Sequence, residues 1–202
     1  VDAVAWAAEY ADATVWARTG RERAFADATG VRPDRTFREG TVIGTGAGPV
    51  TVLDTPGHAP EHVAFSVDDA AGDGEHLLSG DLAVLEGSVV VGAPEGDLRA
   101  YLTALRRLHA REPVRLLPGH GPVVEDPQAT LARLVGHRLD RERRVLAAVE
   151  GGARTVSAVT DAAYEKDVSA VRPLAEATVR AHLEKLAVER RVAFDGQLAT
   201  PH

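Results

Sequence analysis

The sequence predicts an α/β chain that ends in a small winged helix-turn-helix. Three observations carry that expectation. Short β-like runs alternate with helical stretches over most of the chain, and three of the apolar runs end in tight turns that each present one polar side chain. Beyond Gly151-Gly152 the order changes to helix, helix and two short strands, which suits a winged helix.

Taken in order, residues 1–19 are Ala-rich with Trp6, Tyr10 and Trp16 at apolar positions, predicting a helix and then a short strand around 13–17. Residues 20–40 are charged and punctuated by glycine, and read as loop or surface. Strands are expected at 41–45, 50–54, 62–67, 76–79 and 88–91, where β-branched and apolar residues lie between Gly, Pro and Asp. Over 97–110, Leu98, Tyr101, Leu102, Leu105 and Leu108 fall at helical spacing, and 114–117 after Pro113 reads as a buried strand. A long helix over 127–149 would bury Leu131, Leu134, Leu139 and Val145. Helices at 155–164 and 174–188 and strands at 191–194 and 198–200 complete the winged helix. The expected division is 1–136 for the first domain and 137–202 for the second.

Composition narrows the chemistry. The 202 residues include no cysteine, so a disulfide, a thiolate metal ligand and a cysteine nucleophile are excluded, and a metal would sit on His and carboxylates. The formal charge of −7 argues against nucleic-acid binding through bulk charge. No run approaches the roughly 18 apolar residues of a membrane span, so no membrane association is expected, and the location expected is cytoplasmic. The chain opens on Val1 and contains no methionine, which predicts a piece of a longer protein.

Three segments concentrate the chemistry: Thr55-Pro56-Gly57-His58 after Val52-Leu53-Asp54, Ser79-Gly80-Asp81 after Leu77-Leu78, and Pro118-Gly119-His120-Gly121 after Leu116-Leu117. Each is a strand followed by a tight turn, and rigid strand ends are where neighbouring contacts best fix metal ligands. A single Pro-Gly-His is more often a turn with a solvated histidine, and Ser-Gly-Asp is commoner still as a plain turn. All three in one order, with Pro-Gly-His used twice, is a much more specific signal.

These motifs resemble the later motifs of the metallo-β-lactamase-fold hydrolases. His137-Arg138 with Arg141-Glu142, and the winged-helix pattern after them, resemble the branch of β-lactamase-like endoribonucleases and their bacterial relatives. The resemblance covers nearly the whole chain and implies an αββα sandwich with the metal site at one edge between the sheets. Carried over by position, it implies that His58 ligates a first metal, Asp81 bridges two, and His120 ligates the second. The family's His-x-His-x-Asp-His motif is not in these 202 residues; 1–10 looks like the helix that follows it, so the fold is expected to be N-terminally incomplete. The implied mechanism is hydrolysis by a water acidified between two metals. Zinc suits the donors, as one or two ions, with iron or manganese as alternatives.

The remaining histidines carry less. Pro60 and the strand-like run from His62 argue against a helical His58/His62 pair, so His62 reads as structural or at the site's edge. His76 and His109 read as solvated. His137 or Arg138 is a lesser candidate for lining the substrate entrance, the bland reading being an exposed helix face with Glu142 partnering nearby arginines. In the second winged-helix helix, Val179, Leu183 and Leu186 form the core stripe, while Glu176, Arg180 and Glu184 alternate in sign and satisfy one another. Residues 151–202 hold seven basic and seven acidic side chains, so sequence-specific DNA binding is not expected, although Arg190 and Arg191 near the wing could touch a phosphate. The expected function is a metal-dependent hydrolase of a small ester or thioester. A phosphodiesterase acting on single-stranded RNA and a silent winged-helix binding protein are the alternatives, with a homodimer left open.

Overall fold

The computed structural model describes residues 9, 13–68, 72 and 74–202. The helix expected within 1–12 therefore lies outside the described residues, apart from helical Glu9. The elements described from residue 13 onward begin with β1 (Trp16–Arg18), α1 (Glu22–Thr29) and β2 (Arg35–Phe37), in which β1 and β2 pair in parallel. Residues 20–40 thus form a crossover helix and a strand where only loop was expected. The reason is visible in α1, which has no buried residue and so shows little core signal in its sequence, and which stops at Gly30 in the left-handed conformation.

The main sheet has the order β3-β4-β5-β6-β7, with β3 (Val42–Thr45), β4 (Gly48–Asp54), β5 (Val63–Asp68), β6 (Glu75–Gly80) and β7 (Arg115–Pro118). β3 to β6 are antiparallel neighbours, and β7 is parallel to β6. The return from β6 to β7 passes through α2 (Leu98–His109), as a parallel pair requires. Direction follows from this pattern. β4 and β6 both run antiparallel to β5, and β7 follows β6, so all three deliver their C-terminal ends to one edge of the sheet.

Alternation along the strands separates two faces. Leu53, Ala64, Leu77 and Leu116 pack against Leu98, Tyr101, Leu102, Leu105 and Leu108 of α2 and Leu131 and Leu134 of α3 (Pro127–Glu150), forming the first core. On the opposite face Val52, Phe65, Leu78 and Leu117 lie in one cross-strand row. Phe37 of β2 meets Phe65 edge-on there, with centroids 6.3 Å apart, while Leu78 and Leu117 are exposed.

The second core joins Val145 and Val149 of α3 to α4 (Val156–Ala163), α5 (Arg172–Val188), β8 (Val192–Phe194) and β9 (Ala199–Pro201). α3 contributes to both cores, so the two halves share one rigid helix. Thr155 caps α4 by accepting from the Ala158 N–H. The strand expected at 88–91 is absent. That segment is an irregular strap whose carbonyls go to side chains: Arg138 donates to Val89 O, and the His58 ring bonds to Val90 O. No helix among the described residues is long and apolar enough to cross a membrane.

Candidate metal centre

The three strand-end turns meet at the shared edge. β4 ends at Asp54, whose carboxylate is held by the Arg18 guanidinium (Nη2 to Oδ2, 2.7 Å) and whose carbonyl accepts from Arg107 at 2.9 Å. The following turn is closed by the Thr55 N–H on His62 O, and its Gly57 carbonyl accepts from the Asp97 N–H at 2.9 Å. Gly57 has φ +139, and a Cβ there would overlap the Tyr101 backbone, so α2 packs directly on the turn that carries His58.

β6 ends differently. Its register with β7 shifts between Leu78 and Gly80, and Gly80 takes φ +51, which turns Asp81 off the end of the strand. A Cβ on Gly80 would stand 2.8 Å from His62 Nε2, and the Gly119 N–H donates to Gly80 O at 2.9 Å. Glycine at 80 and 119 therefore lets the His58, Asp81 and His120 turns close on one another.

Asp81 is central. Its Oδ2 lies 3.9 Å from His58 Nε2 and its Oδ1 lies 3.7 Å from His120 Nε2. Each carboxylate oxygen thus faces a different imidazole. His58 Nδ1 is 2.7 Å from Val90 O, an acceptor only, so Nδ1 carries a proton and Nε2 is the nitrogen that faces Asp81. This is how a ligating histidine is oriented by its other nitrogen. The His120 side chain is largely solvent-exposed, 83%.

His62 links the turns. Its Nε2 accepts from the Asp81 N–H at 3.1 Å, and its Nδ1 lies 2.8 Å from Thr55 Oγ1 and 3.1 Å from Thr55 O. Burial holds the imidazole below its usual range, with the His58 charge adding to that and the Thr55 backbone bond and Asp81 opposing it. A neutral His62 matches the hydrogen bonds it makes. The expected structural or site-edge role fits this placement.

The donor set has the chemistry of the metal that the motifs imply. Two imidazoles flanking one carboxylate are ordinary zinc donors, and ligands sharing a tetrahedral ion at about 2.0–2.1 Å lie about 3.3–3.4 Å apart. The two separations here are a few tenths of an ångström longer, and among the described residues no set of three or more side chains closes into a complete metal-binding cluster. The residues fit as two ligand pairs sharing Asp81.

Two other expectations need correction. Arg138 is only 3% exposed, pinned to Val89 O and lying 5.2 Å from the Tyr101 ring centroid, because α3 packs against the strap. It acts as a brace rather than an open entrance residue, while His137 beside it is exposed. His76 is half-buried in β6 between Val67 and Arg115 rather than solvated, because β6 is an inner strand; His109 is exposed at the end of α2. Sequence reasoning missed the Val90 carbonyl, since any residue type supplies that acceptor.

Two clefts flank this region. The larger, about 510 Å³, lies along α2 and is lined by both signs of charge, including Arg99, Arg106, Asp97 and Glu189. None of the three candidate ligands lines it. The smaller, about 300 Å³, lies between the 88–90 strap, α3 and the winged helix.

Comparison with known proteins places these features. Residues 155–200 match the family model "Beta-lactamase associated winged helix domain". The chain is 31% identical over 146 residues to a Drosophila melanogaster "Beta-lactamase-like protein 2 homolog", covering 71% of this chain and 47% of that protein. It is 30% identical over 180 residues to an "Atrochrysone carboxyl ACP thioesterase" of Aspergillus chevalieri, covering 82% and 55%. The chain spans about half the length of the curated relatives it matches. Among solved structures, a β-lactamase domain protein from Burkholderia ambifaria superposes with TM-score 0.74 at 23% identity, over 92% of this chain and 64% of that one. A metallo-β-lactamase family protein from Thermus thermophilus gives 0.71 at 24%, over 85% and 55%.

Proposed function

The chain is a metallo-β-lactamase-fold protein with a C-terminal winged helix, and from that premise we propose that it supplies His58, Asp81 and His120 as metal ligands of a hydrolase acting on small esters or thioesters. One observation carries the reading: the two oxygens of Asp81 each face a different histidine, at 3.9 and 3.7 Å. A carboxylate so placed suits a bridge between two ions, with His58 on one and His120 on the other. Zinc is the first choice from the donors, with iron or manganese as alternatives. Such an ion, when bound, polarises the scissile carbonyl and acidifies a water.

The chain's own part is positioning. Val90 O sets the His58 tautomer, His62 holds the Asp81 backbone against the Thr55 turn, and Gly119 brings the His120 turn against Gly80. The thioesterase name of a relative aligned over 82% of this chain supports a thioester. Charge disfavours the RNA alternative: the chain carries −7, and in α5 Arg180 is engaged with Gly196 O and Arg172 with Glu176 and Asp161. On this reading the winged helix shapes the substrate cleft, with His137 and Arg138 beside it, rather than reading a groove.

The test compares the chain with Asp81→Ala and His120→Ala, measuring bound metal by mass spectrometry and hydrolysis of a short-chain thioester series. We expect both variants to lose bound metal, and hydrolysis to fall at least 100-fold, about 2.7 kcal/mol. Full activity in either variant overturns the proposal.

A further inference from the structure

The cleft between the strap and the winged helix has walls of two kinds. Val90, Val171 and Leu174 line it and are 41, 49 and 51% exposed, so apolar surface is gathered at one concave place. His137, Arg138 and Arg141 line it too, and no Asp or Glu does, in a chain whose net charge is −7. The cleft also adjoins the candidate metal centre: Val90 is in its lining, and the Val90 carbonyl is 2.7 Å from His58 Nδ1.

The arginines are built into it. Arg141 stacks on Tyr164, with its guanidinium carbon 3.6 Å from the ring centroid, and its Nη1 donates to Ala163 O at 2.9 Å. These contacts fix the plane of the fork while Nε and Nη2 have no acceptor among the described residues, and a planar fork is matched to a carboxylate. Arg138 is 3% exposed and its Nε has no hydrogen-bond partner. The local field agrees: partial desolvation against the cleft wall, then the charges of Arg138, Arg141 and Arg133, hold the His137 imidazole below its usual range although its surface is largely open.

Building on the hydrolase reading, we infer that this cleft is the acyl-group pocket and takes an apolar acyl chain that carries a carboxylate, with Arg141 recognising the charge. At about 300 Å³ the space suits a small acyl group rather than a polymer. The apolar wall takes the methylene chain, and the absence of acidic lining favours the anion over a neutral chain of equal length. Arg141 is here a specificity residue.

The experiment measures binding to the full chain stripped of metal with a chelator, so that no turnover is needed. The probes are the mono-S-methyl thioester of adipic acid and S-methyl hexanethioate, which match in length and differ by one carboxylate. We expect the charged probe to bind at least tenfold more tightly. Arg141→Gln should abolish most of that preference and Arg141→Lys should retain part of it. Leu174→Asp changes an exposed side chain at the same cleft, so it tests the site even if loss of the Tyr164 stack unfolds Arg141→Gln; it should weaken the charged probe selectively. Equal affinity for the two probes, binding of neither, an unchanged preference in a folded Arg141→Gln, or tighter binding of a short single-stranded RNA that displaces the charged probe would each overturn the inference. If the metal-loaded chain hydrolyses neither probe while the binding preference holds, the pocket stands and the hydrolase reading fails.

Discussion

At the level of single residues, the candidate centre depends on groups that do not themselves face a ligand. His62 satisfies the Asp81 N–H and bonds to Thr55, so His62→Ala leaves buried partners unmatched. We expect it to cost about 1–3 kcal/mol in urea denaturation, and to weaken metal binding about 10–100-fold. Gly80→Ala puts a Cβ 2.8 Å from His62 Nε2 at φ +51, so it should reproduce part of both effects in the same two measurements. Arg138→Met removes the donor on Val89 O and loosens the strap that carries Val90. Nitrogen NMR of His58 should then show loss of the single Nδ1–H tautomer; a retained tautomer would mean that the strap stands without Arg138.

Titration adds a second residue-scale expectation, at the junction of α3 and α5. His182 is fully buried; burial holds its imidazole below the ordinary value of 6.5, and the Arg138 and Arg141 charges reinforce this against the Glu142 carboxylate. Glu142 is pushed up by burial, but the His182 ring 3.9 Å away and the Lys185 ammonium 2.8 Å away outweigh that and leave it below its ordinary 4.5. Both folded values are depressed, so in each case the unfolded chain binds the proton more readily. Stability should therefore be full above about pH 6.5, fall below it as unfolded His182, together with His62 and His137 whose folded values are lowered likewise, takes up its proton, and fall again below about pH 4.5 as Glu142 protonates. Urea midpoints measured between pH 8 and 4 test this, and a flat profile through pH 6 would exclude the His182 contribution.

At the level of elements, strand ends and helix starts position the site. Asp97 caps α2 by accepting from the Arg99 and Ala100 N–H groups at 2.8 and 3.0 Å, while its own N–H holds Gly57 O. Asp97→Ala removes the cap and keeps the backbone bond. It should cost about 0.5–2 kcal/mol of stability with metal binding little changed, as read from paired denaturation and metal titration. The strands and long helices were legible because Leu98, Tyr101, Leu102, Leu105 and Leu108 repeat with the period of a helix whose one face is buried. α1 was not, since it buries nothing. The 88–91 segment misled for the opposite reason: Val89, Val90 and Val91 have strand propensity, yet side chains rather than a neighbouring strand take the Val89 and Val90 carbonyls.

At the level of the whole molecule, α3 places Leu131 and Leu134 in one core and Val145 and Val149 in the other. The two halves should unfold together. Leu183→Ala, a fully buried winged-helix change worth about 2–5 kcal/mol, is expected to lower a single calorimetric transition; two separated transitions would show that the halves are independent.

The sequence by itself determined the fold class, the winged helix and the three turns that carry His58, Asp81 and His120, because local spacing encodes amphipathic faces and turn chemistry. It also showed that none of these 202 residues supplies a thiolate, since there is no cysteine among them. Only the tertiary structure decided that β4, β6 and β7 end at one edge, since strand direction is a property of pairing rather than of any one strand. It alone turned Arg138 from an open cation into a buried brace and gave His58 its tautomer through a backbone carbonyl. Such roles depend on which groups meet after the chain has packed, and a carbonyl looks the same at every position of a sequence.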